Sequence, residues 1–339
     1  MTKAMSFAAL SLAVFILAAA GACGPKSNKL KVGLSLPTQR EERWVRDKNV
    51  MIDEAKKAGI DLKLQVSDND ASRQISQCEI LLAQGIQVLI LAPNDAKSAA
   101  TIVEKAHAAK AKVISYDRLV VGADVDVYLS FDNVKVGEIQ GEYITKRVPK
   151  GRYIVLSGAP TDNNALLFKQ GAMKFISPLA KKGDIQIVME QSIKEWQPVE
   201  AMRLVEQALT KNANRVDAVL APNDNTAGGV IQALAAQKLA GKVPVTGQDA
   251  EETAAQRIVE GTQAMTVFKD TRLLGAKAIE IALEMAKGES VATNASVNNG
   301  KIDVPSVLLT PVAVTKDNLD DVLVKSGYLT SNAVYGVKK

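Results

Sequence analysis

The sequence predicts an α/β protein of two similar halves, each a doubly wound parallel sheet flanked by helices. Three observations predict it. Short apolar runs alternate with longer segments of helical period roughly every 25–30 residues, the spacing of βα units. Two pairs of segments repeat: QVLILAPND at 87–95 returns within DAVLAPNDNTA at 217–227, and VGLSLPTQ at 32–39 returns in IVLSGAPTDN at 154–163. In each copy an apolar run stops at a polar turn. That places short polar side chains in a row at strand ends, where open α/β sheets bind ligands.

Taken in order, a strand at 30–36 leads through the loop 37–40 into a helix at 42–58, closed by Gly59. A strand at 61–66 and a helix at 71–84, closed by Gly85, come next. The buried strand at 88–91 is ended by Pro93. A helix at 98–109 precedes strands at 112–116 and 125–130, with Asp117 and Arg118 at the end of the first of these. After a helix at 134–147 the pattern restarts. Strands at 152–156, 186–190, 218–221, 243–246 and 265–268 enclose helices at 164–182, 198–212, 226–237 and 251–260, and a further helix spans 272–287. Residues 294–301 read as polar and turn-rich, 307–309 and 311–314 as late strands, and 331–339 as a loose tail.

At 339 residues, 47% apolar, the chain is long enough for one large or two medium domains. The formal charge of +5 is spread over interspersed residues, without the basic clusters a nucleic-acid surface needs. One histidine, His107, excludes a two-histidine zinc site, and two cysteines, Cys23 and Cys78, argue against a disulfide framework. His107 reads as a solvated helix residue. Cys78 shares a helical face with Ile75 and Leu82 and reads as core. There is no GxSxG elbow, no GxxxxGK[ST] phosphate loop and no GxGxxG fingerprint, so neither catalysis nor a nucleotide cofactor is expected. Gly228 and Gly229, at a helix start, read as a close packing contact.

Residues 1–22 read as an export signal: Lys3, an uncharged apolar run at 5–20, then small residues. Two cleavages fit. Ala20-Gly21-Ala22 suits a signal of A-x-A type, and the same stretch before Cys23 resembles a lipoprotein box, in which Cys23 is diacylated. The lipoprotein is the favoured reading, with 23–29 as a flexible tether.

The strand-end residues Arg40, Asp117, Arg118, Asp162, Asn164, Asn223, Asp249 and Lys269 form a set of three cations, three carboxylates and two amides. Any one alone reads as a helix cap or surface group. Together they are close to neutral, unlike a phosphate or carboxylate site. They offer both donors and acceptors, as a polyol requires. Trp44 and Trp196, both beside strand ends, add flat apolar walls suited to the C–H face of a sugar ring.

The chain resembles the bacterial periplasmic sugar-binding family, and within it the D-xylose branch, grouped with the ribose- and galactose-binding proteins. The matching stretches are ERW at 42–44, YDR at 116–118, YLSFDNVKVGE at 128–138, TDNNALLFKQGAMK at 161–174, APNDNTAGGVIQAL at 221–234, TGQDAE at 246–251, GTQAMTVFKD at 261–270 and LLTPVAV at 308–314. The resemblance implies a two-lobed type I fold with a three-segment hinge near Asp132, Asp270 and Ser306. One lobe would comprise 30–132 and 271–305, the other 133–270 and 306–330. It implies sugar contacts on Arg40, Trp44, Asp117, Arg118, Asp162, Asn164, Trp196, Asn223, Asp249 and Lys269. It further implies capture of a monosaccharide by hinge closure and delivery to a membrane permease of an ABC transporter with its own ATPase, by a monomer. The loop PTQ at 37–39 departs from the acidic xylose pattern and resembles multi-sugar relatives, so D-glucose stands as a second ligand. Three alternatives remain open. A chemoreceptor or sensor-kinase partner is compatible with transport. A repressor's sensing domain needs a helix-turn-helix before the first strand, and an enzyme needs a positioned base.

Overall fold

The computed structural model describes residues 29–336. The expected export signal at 1–22, Cys23, all but the last residue of the expected tether at 23–29, and the last three residues of the chain lie outside them. In chain order the elements are β1 (Lys31–Leu36), α1 (Glu42–Lys57), β2 (Asp61–Val66), α2 (Ala71–Ala83), β3 (Val88–Leu91), α3 (Ala100–Ala108), β4 (Lys112–Tyr116) and β5 (Val127–Phe131). After them come α4 (Asn133–Arg147), β6 (Gly151–Ser157), α5 (Asn163–Lys182), β7 (Ile185–Ser192), α6 (Pro198–Lys211), β8 (Ala218–Leu220), α7 (Asp224–Ala236), α8 (Glu252–Glu260) and β9 (Thr266–Phe268). The chain closes with α9 (Thr271–Lys287), β10 (Ala295–Asn298), β11 (Asp303–Leu309), β12 (Val312–Val314) and α10 (Ser331–Tyr335).

The first lobe is built on a seven-stranded sheet of order β10-β11-β5-β4-β3-β1-β2. All its pairings are parallel except β10 with β11. Its strands are apolar on both faces because helices cover both. Val32, Leu34, Ile90 and Ile114 pack with Trp44 and Met51 of α1 and with Leu274, Ala278 and Ile281 of α9. Leu89, Leu91 and Val113 pack on the other face with Cys78 and Leu81 of α2 and Ile102 of α3, so Cys78 is a core residue.

The second lobe holds a parallel β7-β6-β8 sheet and an antiparallel β12-β9 pair. The segment 245–249 joins them: Val245 bridges Val219, and Val267 N–H donates to the Gly247 carbonyl at 3.1 Å. Helices α4 and α5 nearly touch along their backbones. A Cβ on Gly137 would lie 1.9 Å from the Phe168 carbonyl oxygen, and one on Gly171 2.1 Å from that of Val134. Gly229 likewise lets α7 meet the start of α6, where a Cβ would lie 2.1 Å from the Pro198 oxygen.

Several elements differ from the sequence expectation. The strand expected at 243–246 shrinks to a single bridge, because Pro244 cannot donate and the chain then turns toward the cleft through Asp249 and Ala250 at positive φ. The stretch 294–301 carries β10, an edge strand that alternates half-buried and exposed residues and so shows no apolar period. The third crossing between lobes falls after Leu309, not near Ser306: β11 stays paired with β5 through Leu309 to Phe131, and Pro311 follows. The segment expected as a loose tail holds α10, whose Val334 is buried against the Ile258 cluster. His107 is half-buried and meets Asp126 Oδ2 through Nε2 at 2.8 Å, rather than standing free in solvent.

Candidate functional site

The C-terminal ends of β1, β4, β6, β8 and β9 all point into one cleft between the lobes, as the topology of open α/β sheets dictates. The empty space in the cleft, open solvent at its mouth included, is about 320 Å³. Trp44, Asp117, Arg118, Asp162, Asn164, Trp196, Asn223, Asp249 and Lys269 line it. Arg40, the remaining residue of the expected set, does not. Its guanidinium sits at the rim, paired with Glu41 and donating to the carbonyl of Glu195. The place inward of it belongs to Arg43, and Glu41, Phe168 and Gln248 complete the wall. These four were missed. Arg43 had a readable signal, since Asp47 lies one helical turn on and the pair shares a face. Phe168 follows Asn164 at the same spacing, and Gln248 precedes Asp249.

Three cations alternate with carboxylates around the cavity. Arg43 Nη1 lies 2.6 Å from Asp117 Oδ1, Arg118 Nε 2.8 Å from Asp162 Oδ2, and Lys269 Nζ 2.9 Å from Asp249 Oδ1. Arg43 is itself fixed from behind by Asp47, which takes Nη2 at 2.8 Å and the Tyr116 hydroxyl at 2.5 Å. Burial alone would raise Asp117, but Arg43, Lys269 and Arg118 outweigh it and hold this carboxyl below its ordinary value. Asp162 goes the other way. Burial raises it, and Arg118 only partly compensates.

The backbone aims these groups. Asp117 adopts φ 59°, and its carbonyl accepts from Ser130 Oγ at 2.7 Å, Asn164 Nδ2 at 2.9 Å and Tyr128 Oη at 3.1 Å, so the turn is pinned from both lobes. Asp162 and Asn223 cap α5 and α7. Asp162 Oδ1 accepts the Asn164 N–H at 2.9 Å, and Asn223 Oδ1 accepts the Thr226 N–H at 3.0 Å in a capping box. Each cap uses one end of its side chain. The other end is turned to the cleft, as Asn223 Nδ2 and as Asp162 Oδ2, which pairs there with Arg118.

Trp44, Phe168 and Trp196 supply the apolar surfaces. Phe168 and Trp196 meet edge to face at 6.4 Å, and Arg43 and Arg118 stand over Trp44 at 4.5 and 5.3 Å. Trp196 lies on a turn in which it and Glu195 both have positive φ, 57° and 52°. Its indole rests on Gly158, where a Cβ would come within 2.1 Å of the ring. Trp196 Nε1, Gln248 Oε1 and Glu41 Oε2 are buried without a protein partner, one donor and two acceptors in the cavity wall. The lobes are closed on each other. Besides Arg118 with Asp162, the Ala96 N–H meets the Thr161 carbonyl at 2.9 Å and the Glu252 N–H meets Glu42 Oε2 at 2.9 Å.

A two-lobed α/β fold closed over a polar and aromatic cleft defines a solute-binding protein, and the chain belongs to the periplasmic binding protein family, whose domain model matches residues 32–290. It is 44% identical over 309 residues to the D-xylose-binding periplasmic protein of Haemophilus influenzae, covering 91% of this chain and 93% of that one. It is 41% identical over 302 residues to the D-xylose-binding periplasmic protein of Escherichia coli, covering 89% and 92%. A carbohydrate transporter solute-binding protein from Chloroflexus aurantiacus, solved with D-glucose, superposes with a TM-score of 0.84 at 35% identity, over 89% of this chain and 97% of that one.

Proposed function

We propose that the protein is an exported solute-binding protein that captures a neutral monosaccharide, D-xylose before D-glucose, and hands it to an ABC permease. The observation that carries this reading is the alternation of cations and carboxylates between three aromatic walls. Each cation in the cavity has a carboxylate partner, so an anionic ligand finds no excess positive charge. A polyol finds charged donors and acceptors for each hydroxyl, with ring C–H groups against the indoles. The relatives named for D-xylose favour the pentose, and the neighbour solved with D-glucose favours a wider range that includes hexoses. Working as a monomer, the closed form is the shape a permease reads, and a chemoreceptor or sensor kinase can read the same shape. The residues lining the cavity, with Arg43 in place of Arg40, are the sugar contacts. Cys23 carries the lipid anchor, and mass spectrometry of the native N-terminus distinguishes this from a released form.

Titration calorimetry of the chain lacking residues 1–22 against D-xylose, D-glucose, D-ribose and L-arabinose tests the reading. The expected outcome is tight binding of D-xylose, weaker binding of D-glucose and little heat with the other two. No heat with any sugar overturns it.

A further inference from the structure

Arg40 was expected in the cavity and stands outside it, yet it crosses the mouth of the cleft. Its Nε and Nη2 hold Glu41 Oε1 at 3.1 and 2.7 Å within its own lobe, and Nη2 also donates to the backbone carbonyl of Glu195 in the opposite lobe. Its own N–H is fixed by Thr38 Oγ1 at 3.1 Å, so the base of the arm is set by the loop after β1. The acceptor is not incidental. Glu195 and Trp196 are consecutive non-glycine residues at positive φ, a conformation that costs energy at each and persists only where neighbours enforce it. On the far side of the turn Gly158 leaves room for the indole, and Phe168 packs against it in a T-shaped pair. On the near side Arg40, from the first lobe, donates to the turn. Its other partner, Glu41, turns its second carboxylate oxygen, buried and unpartnered, to the cavity wall.

We propose that Arg40 is a positioning residue, a latch that forms on lobe closure, locks the left-handed Glu195–Trp196 turn and keeps Trp196 against the bound sugar. The inference rests on the sugar reading above. Because the latch exists only between closed lobes, it acts on release rather than on capture. The side chain is 31% exposed, so a charge-assisted bond at this rim contributes about three- to tenfold in affinity, less than a buried one.

Stopped-flow fluorescence of the mature chain with D-xylose and D-glucose tests it. Arg40→Ala is expected to leave the association rate and the melting temperature of the sugar-free protein unchanged while raising the dissociation rate about three- to tenfold. Arg40→Lys restores part of the loss. Glu195→Ala, which keeps the carbonyl, stays close to the unsubstituted chain. In a Trp196→Ala background, the Arg40 substitution adds little, because Arg40 works through Trp196. An unchanged dissociation rate in Arg40→Ala, or full additivity with Trp196→Ala, overturns the latch. An unsubstituted chain that binds no sugar overturns both the latch and the sugar reading.

Discussion

At the scale of single residues, Arg43 is the hinge of the site's electrostatics. One guanidinium is shared between Asp117 in the cavity wall and Asp47 behind it, with Tyr116 completing the chain of bonds. Arg43→Met leaves two buried carboxylates without their cation. We expect it to abolish sugar binding and to cost about 3–5 kcal/mol of stability, measured by urea denaturation. Trp196 acts differently. Trp196→Ala should cut affinity at least tenfold with the far-ultraviolet circular dichroism spectrum retained. Gly158→Ala should imitate it with Trp196 still in the sequence, since the new methyl group would displace the ring. Wild-type affinity in Gly158→Ala would remove this contact from the account of the site. The choice between Arg40 and Arg43 shows where the sequence stops being legible. Arginines stand at 40, 43 and 46. One latches the rim, one enters the cavity, and Arg46 turns to Glu42 and Tyr328. Arg40 lies in the loop before α1, whereas Arg43 and Arg46 lie on α1 itself, whose packing partner α9 is distant in sequence.

At the scale of elements, the strand-end turns serve two ends at once. Asp162 and Asn223 cap their helices with one end of each side chain, which leaves the proposed role as ligand groups to the other end. Asn223 allows the two roles to be separated. Asn223→Asp keeps the capping oxygen but replaces the cleft-facing amide with an acceptor, so stability should hold while affinity falls more than tenfold. Asn223→Ala should lose both, with a stability cost of about 1 kcal/mol. Calorimetry alongside thermal unfolding reads the two effects. The elements with strong apolar periods were legible, among them β1, β3, α1 and α9. Those missed have a physical reason in common. β10 is an edge strand without an apolar face, and α10 contributes a single buried side chain, Val334. Neither leaves a periodic trace in the sequence.

At the scale of the whole molecule, a second buried acidic group lies behind the cleft. Asp224 Oδ1 accepts from Gln263 Nε2 at 2.7 Å, and Oδ2 accepts from Thr266 Oγ1 at 2.8 Å and from the Glu251 N–H at 3.1 Å. Burial lifts Asp224 to about 7, against the pull of Arg257. Burial, with Asp224, Asp249 and Glu42 nearby, lifts Glu251 to about 9. Both folded values lie above the unfolded ones, so the stability these groups contribute is complete below about pH 4 and is lost as pH rises through 7 and 9. Asp117 and Asp126 are held low, and their contribution is lost instead as the pH falls below the ordinary carboxylate range. Thermal unfolding should therefore be most resistant in weakly acidic buffer and weaken steadily toward pH 9. Glu251→Gln should flatten the alkaline limb, and an alkaline limb of the same slope in that variant would contradict this account.

The position of α9 has a consequence for how the chain is made. The helix lies late in the chain, yet Leu274, Ala278, Ile279, Ile281 and Ala282 cover Trp44 and Met51 near its beginning. β11, later still, pairs with β5 in the same sheet. The lobe synthesised first is therefore completed last, after the other lobe's strands β6 to β9 have already emerged. Long-range closures of this kind are slow. A chain cut after residue 270 keeps those four strands but leaves one face of the first sheet bare. In the exported chain proposed above, the early half stays unfinished until the end of the chain has emerged.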